Sequence, residues 1–430
     1  PLSRAGRPAD ALALAERAVR TAESLDYPPV LAEALLERGR AGIHNNEAWQ
    51  VRGPLQRALV LAVGSRADDV AAEAAVFQLY ARTVSNDIHA AAADLPLTEA
   101  LVARAPSAAR LRGELLHNAA VLALAQGEPE RARALYHAAL QAKQEAHGSD
   151  ALEIAYTLAN RAMVAVDPHA QEEDLRRAIA IFEHNLGAVH PEAIAARIIA
   201  GNYTDDPHEA LEILQPACDA LKRLAADPLE QRGICLARVS QQYAELDLPE
   251  EERAFLRQAA DAIRATASAD TEEKKVILGL AAATEGGDLQ LEAELRRYAR
   301  GLPTKTWWQR RNRGDVHYAL AALLRARGDL PGAADMIARA VEDFLAGAED
   351  VQDIAYHQRL HRARIILAEL SLAAGPLSGE RVVQLARHLD AALQWYADRG
   401  DTYEWRRERI RELQRELARR SGALEAPARD

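Results

Sequence analysis

The chain has 430 residues, 49% hydrophobic but only 5% aromatic, and a formal net charge of −11. That length exceeds what one globular core organises, and the negative charge argues against generic nucleic-acid binding. The shortage of aromatic rings leaves Ala and Leu to do most of the packing, which favours close helix crossings.

One short pattern returns along the chain: a Gly or polar turn residue, an Ala five later, an apolar residue four after that, and an Ala three further on. It first occurs at Gly6, Ala11, Ala15 and Ala18. The chain starts at Pro1, and no helix precedes this copy, so it is expected to be cut from a longer protein, within or just after an upstream repeat. AEALLERGRAGI (32–43) then shows apolar residues at helical period and leads to Asn46, Val51, Leu55 and Ala58. GELLHNAAVLALAQ (113–126) leads to the clearest copy, Gly127, Ala132, Tyr136 and Ala139. IAYTLANRAMVAV (154–166) is followed by an enlarged turn, DPHAQEED, then Ala178 and Phe182. AIAARIIAGNY precedes Ala210, Leu214 and Ala217, and ICLARVSQQYAEL precedes Asp247, Glu252, Leu256 and Ala259. Residues 260–300 fit poorly, and a break is expected near 301–304. DVHYALAALLRAR leads to Gly328, Ala333, Ile337 and Ala340, after which 376–400 again fit poorly. The stretch DTYEWRRERIRELQRELARR (401–420) is a polar helix with a narrow stripe of Tyr403, Ile410, Leu413 and Leu417, as a solenoid's terminal cap requires. Residues 421–430 are expected to fray. The final alanines recur mostly at about 40 residues or a multiple of it, within the range of solenoid repeats. No stretch alternates with period two.

This pattern resembles the tetratricopeptide repeat, in which helix A, a turn and helix B form a unit that stacks on its neighbours. Gly39, Ala120, Gly201, Ser240 and Ala321 match the family's small residue in helix A, and Ala11, Ala132, Ala178, Ala210 and Ala333 its small residue in helix B. Tyr136, Phe182, Leu214, Leu256 and Ile337 match the large residue that follows. The family's helix A Trp is replaced by Leu116 and Leu236, and Glu252 stands at a small-residue position. The repeats are longer than the usual 34 residues, and NLGAVHPEAI (185–194) looks like the loop of the longer, kinesin-light-chain-like subtype. The resemblance implies an all-α, right-handed superhelical solenoid over 1–400, of about ten helix pairs with a capping helix. The Ala/Arg/Leu-rich style is similar to arrays in the C-terminal regions of bacterial Ser/Thr kinases and other signalling proteins. The implied function is a non-catalytic scaffold or sensor that holds a protein or peptide along its concave face.

In that family, helix A side chains line the concave surface. Threading the copies places Glu114, His117, Asn118, Val121, Tyr156, Asn160, Met163 and Asp167 there, with Ile234, Arg238, Gln241 and Glu245 from a later repeat. Asn118 and Asn160 share one repeat position. In the long-repeat subtype such an Asn can bond a peptide backbone, since an amide both donates and accepts. The alternative is that each amide is solvated or bonds a neighbouring repeat.

A second feature is RRYARGLPTKTWWQRRNRG, where Arg296, Arg297, Arg300, Lys305, Arg310, Arg311 and Arg313 occur with no acidic residue between them, around Trp307 and Trp308. Arg and Trp are enriched at interfaces, and guanidinium groups suit phosphate and carboxylate. A small ligand or nucleic acid bound at this patch is one alternative function, and self-assembly is another. A Trp exposed beside the arginines would favour binding, whereas buried Trp side chains would make the arginines a solvated face.

His357 and His361 are one helical turn apart, but no Glu completes a metal motif and arginines surround them, so no metal or cofactor is expected. Cys218 and Cys235 form neither metal spacing nor a disulfide framework, the usage of a reducing compartment. With no signal peptide and no apolar run of membrane length, a cytoplasmic location is expected. No phosphate loop, GxSxG or paired nucleophile and base stands out.

Overall fold

The structure is a computed structural model that describes residues 7–45, 47–165, 167–224, 229–266, 272–348, 354–399 and 401–425. Asn46, Gly6 and the tail from 426 onward, all part of the sequence expectations, lie outside them. The helices in chain order are α1 (Pro8–Ser24), α2 (Pro28–His44), α3 (Arg52–Gly64), α4 (Asp68–Val84), α5 (Ile88–Arg104), α6 (Ala108–Ala125), α7 (Pro129–His147), α8 (Leu152–Ala162), α9 (Pro168–Leu186) and α10 (Pro191–Tyr203). They continue with α11 (Pro207–Leu221), α12 (Leu229–Glu245), α13 (Pro249–Arg264), α14 (Glu272–Thr284), α15 (Leu289–Gly301), α16 (Trp307–Ala326), α17 (Leu330–Ala348), α18 (Ile354–Ala374), α19 (Gly379–Ala397) and α20 (Glu404–Glu425). No strand occurs among the described residues, so the all-α reading holds. The chain divides into two compact units, 1–196 and 197–430.

Local chemistry sets the helix boundaries. Proline occupies the first turn of α1, α2, α7, α9, α11 and α13, where its missing N–H costs nothing. Asp167, Asp206 and Asp288 cap α9, α11 and α15 by accepting backbone N–H bonds. Thr306 and Gln309 form a reciprocal capping box at α16. The turn position of the repeat has left-handed backbone at Asn86, Gly127, Asp247 and Gly328, with φ of 61°, 81°, 58° and 80°. That conformation is why Gly, Asn and Asp recur there.

Helix pairing follows the small residues. Ala58, Ala132, Ala139, Ala178, Ala210, Ala217, Ala259, Ala333 and Ala340 are all fully buried. The large residue of helix B fills the space left by the small residue of helix A. A Cβ added to Gly39 would come within 2.2 Å of Leu55, and one added to Gly201 within 2.6 Å of Leu214. The copy at 6–18 is offset from this frame: α1 buries Leu12, Ala15 and Ala22, while Ala18 is exposed. The poorly matching stretches at 260–300 and 376–400 contain α14, α15 and α19. The stripe of Tyr403, Ile410, Leu413 and Leu417 is buried, seating the terminal helix on the core of unit 2.

One expectation is overturned. Cys218 on α11 and Cys235 on α12 form a disulfide, with Cα atoms 5.6 Å apart. The spacing belongs to no motif; the packing of α11 against α12 brings the two side chains together.

Candidate binding site

Within unit 2, four successive A helices turn one face toward a shared cavity of about 720 Å³. Helix α12 contributes Ile234, Arg238, Gln241 and Glu245, and α14 adds Glu273, Ile277 and Leu280. Helix α16 contributes Arg311, Asp315, Tyr318, Ala322 and Arg325, and α18 adds Arg359, Arg362 and Ile366. The spacing of three and four along each helix puts these residues on one face. The wall is therefore mixed, with apolar patches between fixed charges.

The charges are arranged in two groups. In the first, Arg238 donates to Glu273 at 2.6 Å, Arg359 stands 3.4 Å from Asp315, and Arg311 bonds the side chain of Asn312. Burial pulls the Arg238 guanidinium below its usual range; Glu273 opposes this, while Arg359 and Arg311 add to it. In the second group, Arg362 donates to Glu252 at 3.3 Å and lies 3.8 Å from Glu245, which is 2.9 Å from Arg406. Burial disfavours the Arg362 charge, but Tyr318, Glu245 and Glu252 outweigh it and raise its pKa.

The candidate residues from the sequence divide between the units. Arg238, Gln241 and Glu245 line the unit 2 cavity, as does Ile234. In unit 1 the proposed groove amides are committed to structure. Asn118 is buried, and its amide donates to the Val76 carbonyl of α4 at 2.9 Å. Asn160 contacts His117 Nε2 at 3.1 Å, and His117 Nδ1 contacts Thr157 Oγ1 at 3.2 Å. Thr157 gives its own proton to the Glu153 carbonyl. The chain is satisfied by a neutral imidazole protonated on Nδ1, accepting from Asn160 and donating to Thr157. Burial, with Lys143 adding, holds His117 well below its ordinary pKa, which agrees. Both amides thus stitch successive A helices; Asn118 is buried, and half-buried Asn160 has its amide nitrogen engaged by His117. Glu114 pairs with the buried Lys143 at 2.9 Å. Val121 packs beside Ala120 and Tyr136, and the Tyr156 ring meets Phe182 edge-on. Met163 is exposed at the end of α8, and Asp167 serves as the cap of α9. Asn118→Ala is accordingly expected to destabilise the chain by about 0.5–1.5 kcal/mol, the net worth of one buried hydrogen bond, since the Val76 carbonyl keeps its bond within α4. Urea unfolding checks this; an unchanged midpoint would return Asn118 to the groove.

The basic patch does not form one surface. Arg311 faces the A-helix cavity, while Arg296, Arg300, Arg310 and Arg313 line a different pocket. Arg297 and Lys305 are exposed and line neither. Trp307 is half-buried against the core and meets Tyr356 edge-on, and Trp308 is half-buried as well. The exposed Trp that would have marked a binding surface is thus not found here. A one-residue step along a helix turns a side chain by about 100°, so arginines adjacent in sequence part company. His361 stacks on Trp395 and accepts from Arg364, and burial pushes its pKa down to about 2.

Asp315, Tyr318, Arg325, Arg359 and Arg362 were not singled out in the sequence. Their signal is the helical period: Arg311, Asp315, Tyr318, Ala322 and Arg325 form one stripe of α16. In α18, Arg359 and Arg362 lie among the more conspicuous His357 and His361.

A family model for the tetratricopeptide repeat matches residues 113–150, which span α6 and α7. The apo quorum sensor NprR from B. thuringiensis is similar over 84% of this chain and 97% of its own, at 11% identity and a TM-score of 0.53. The apo form of RapI is similar over 90% of this chain and 99% of its own, at 13% identity and a TM-score of 0.50. No curated protein sequence matches. No described helix is long and apolar enough to cross a membrane. Residues 113–150 thus match a tetratricopeptide repeat, and the recurrent A–B crossings and these likenesses of fold extend the same helical-repeat architecture along the chain.

Proposed function

We propose that this array is a non-catalytic binding scaffold or sensor module of a larger, cytoplasmic bacterial signalling protein, and that unit 2 holds an extended peptide segment in its A-helix cavity. The observation that carries this reading is the cavity itself. Its volume of about 720 Å³ lies within the range of ligand sites, and it combines apolar walls with fixed charges. An extended peptide presents that mixture: side chains for the apolar wall and a polar backbone for groups such as Gln241 and Asn312. NprR, whose fold it shares, is a quorum sensor; the cavity, rather than that likeness, supports the sensor reading here. The kinesin-light-chain-like subtype belongs to the same reading, supported by the 19-residue helices α7 and α9, which lengthen the repeat.

Filling the cavity tests it. Ala322→Trp places a large ring among the A helices, where Ala322 lines the cavity without being fully buried. Immobilised protein is exposed to a synthetic mixed-sequence decapeptide library, and the retained peptides are quantified. The variant is expected to retain at least about tenfold less, a change of 1.4 kcal/mol, with an unchanged helical circular dichroism spectrum. Equal retention by parent and variant would place peptide binding outside the cavity or remove it from the function.

A further inference from the structure

A second pocket of about 720 Å³ lies between α15, α16 and α17, and it shares no lining residue with the A-helix cavity. Five arginines line it (Arg296, Arg300, Arg310, Arg313 and Arg339), against three carboxylates, Asp335, Glu342 and Asp343. In a chain of net charge −11 this is a local reversal of sign.

The arginines are held in different ways. Asp343 is buried; it accepts from Arg313 Nε at 3.0 Å and also from its Nη2, and lies 2.9 Å from His317 Nδ1. One carboxylate thereby fixes both side chains on the wall of the pocket. Arg310 donates to two backbone carbonyls, Thr304 at 2.9 Å and Ala346 at 2.7 Å. Those bonds orient its guanidinium without neutralising it. Arg300 is exposed and has no carboxylate partner among the described residues. Two cations at one pocket thus keep their charge, and one of them is immobilised in advance.

We propose that this pocket binds a small, phosphate-bearing ligand, with Arg300, Arg310 and Arg313 as its cationic contacts. Phosphate is favoured because it offers three terminal oxygens and up to two charges, enough to engage more than one guanidinium fork. A single carboxylate has only two oxygens. Apart from the His317 imidazole, the lining has no aromatic ring, and its apolar part is Ala299, Leu320, Met336 and Ala346. A nucleobase would find no stacking platform of the kind single-stranded nucleic-acid sites use. The ligand is therefore a compact phosphate compound with an aliphatic or polyol body, or pyrophosphate itself, and not a nucleic acid.

The test is calorimetric titration of the full chain with pyrophosphate, citrate and a ten-nucleotide oligo-dT, at constant ionic strength set with chloride. Pyrophosphate is expected to bind with a Kd below about 1 mM, more tightly than citrate or the oligonucleotide. Arg300→Gln and Arg310→Gln should each weaken it about tenfold or more, as loss of a charge-assisted bond implies. Arg300 serves because it makes no bond that the fold needs, whereas Arg310 also ties Thr304 and Ala346. Arg297→Gln is the control, being basic, nearby and outside the pocket, and should keep the parent affinity. Absence of pyrophosphate binding would overturn the proposal, and so would an equal loss in Arg297→Gln. Citrate binding as tightly as pyrophosphate would overturn the phosphate assignment. Tighter binding of the oligonucleotide would replace the small ligand by a nucleic acid.

Discussion

Replacing Arg406 by Met is expected to destabilise the folded chain by about 3–5 kcal/mol, the usual cost of leaving one partner of a buried ion pair behind. Arg406 and Glu245 are 2.9 Å apart, with side chains 6% and 1% exposed. Arg406 also donates to the Ala244 carbonyl at 3.0 Å and lies over the rings of Trp405 and Tyr396. The neighbouring residues continue the same contact. Trp405 Nε1 donates to the Glu245 carbonyl at 3.2 Å, Tyr403 donates to the Asp205 carbonyl at 2.7 Å, and Arg399 stands 3.3 Å from Asp205. The segment just before and into α20 therefore bonds the end of α12 and the turn before α11, far away in sequence. Met keeps much of the volume of Arg but none of its charge. Among the described residues, Glu245 would then keep Arg362, at 3.8 Å, as its cationic neighbour. The check is urea unfolding of the parent, Arg406→Met, and the double variant Glu245→Gln with Arg406→Met. The double variant should recover much of the loss, because a neutral pair leaves no buried charge. A cost below about 1 kcal/mol for the single variant, the range of an exposed pair, would mean that this contact is solvated.

Much of the array was legible because its rule is steric. A residue with left-handed backbone must be Gly, Asn or Asp at low cost, and a close crossing must be Ala or Gly. Two kinds of copy hid from that rule. Asn86, Ala91, Leu95 and Thr98 fit the frame, but Thr98, buried with its hydroxyl bonded to the Asp94 carbonyl, takes the place of the final Ala. In α15 the frame reads Gly287, Glu292, Arg296 and Ala299, so charged residues occupy two positions. Glu292 is tolerated because Arg296 and Arg327 both engage it. Glu252 is explained in the same way, reaching Arg362 at the cavity. Such compensation is tertiary and leaves no mark in a single window.

The candidate site was only partly legible for a related reason. Threading by helix A positions found the α12 residues, since that copy was recognised. Helix α14 lay in an unrecognised copy, and the arginines of α16 read as one run when the helix distributes them over two faces. Asn118 and Asn160 show the opposite error. Their shared position pointed to a shared role, but the shared role is bonding the preceding A helix.

Breaking the Cys218–Cys235 bond is expected to lower stability by about 3 kcal/mol, the loop-entropy value for a loop of about this length. The two cysteines are 17 apart in sequence and both are buried, at 2% and 0% exposure, so the bond ties α11 to α12 inside the core. Urea unfolding with and without a strong reductant checks this, together with Cys218→Ala/Cys235→Ala and a thiol titration of the denatured protein. A purified protein that titrates two thiols, and whose midpoint ignores the reductant, would show that the pair is reduced in solution. That outcome would agree with the cytoplasm expected from the sequence, whereas an oxidised pair fits an oxidising compartment. The loss should add to that of Arg406→Met. Cys235 and Glu245 lie about 15 Å apart along α12, beyond the distance at which effects usually couple. A combined loss well short of the sum would mean that α11 and α12 unfold as one piece once either tie is cut, which would make this end of unit 2 a separate cooperative element.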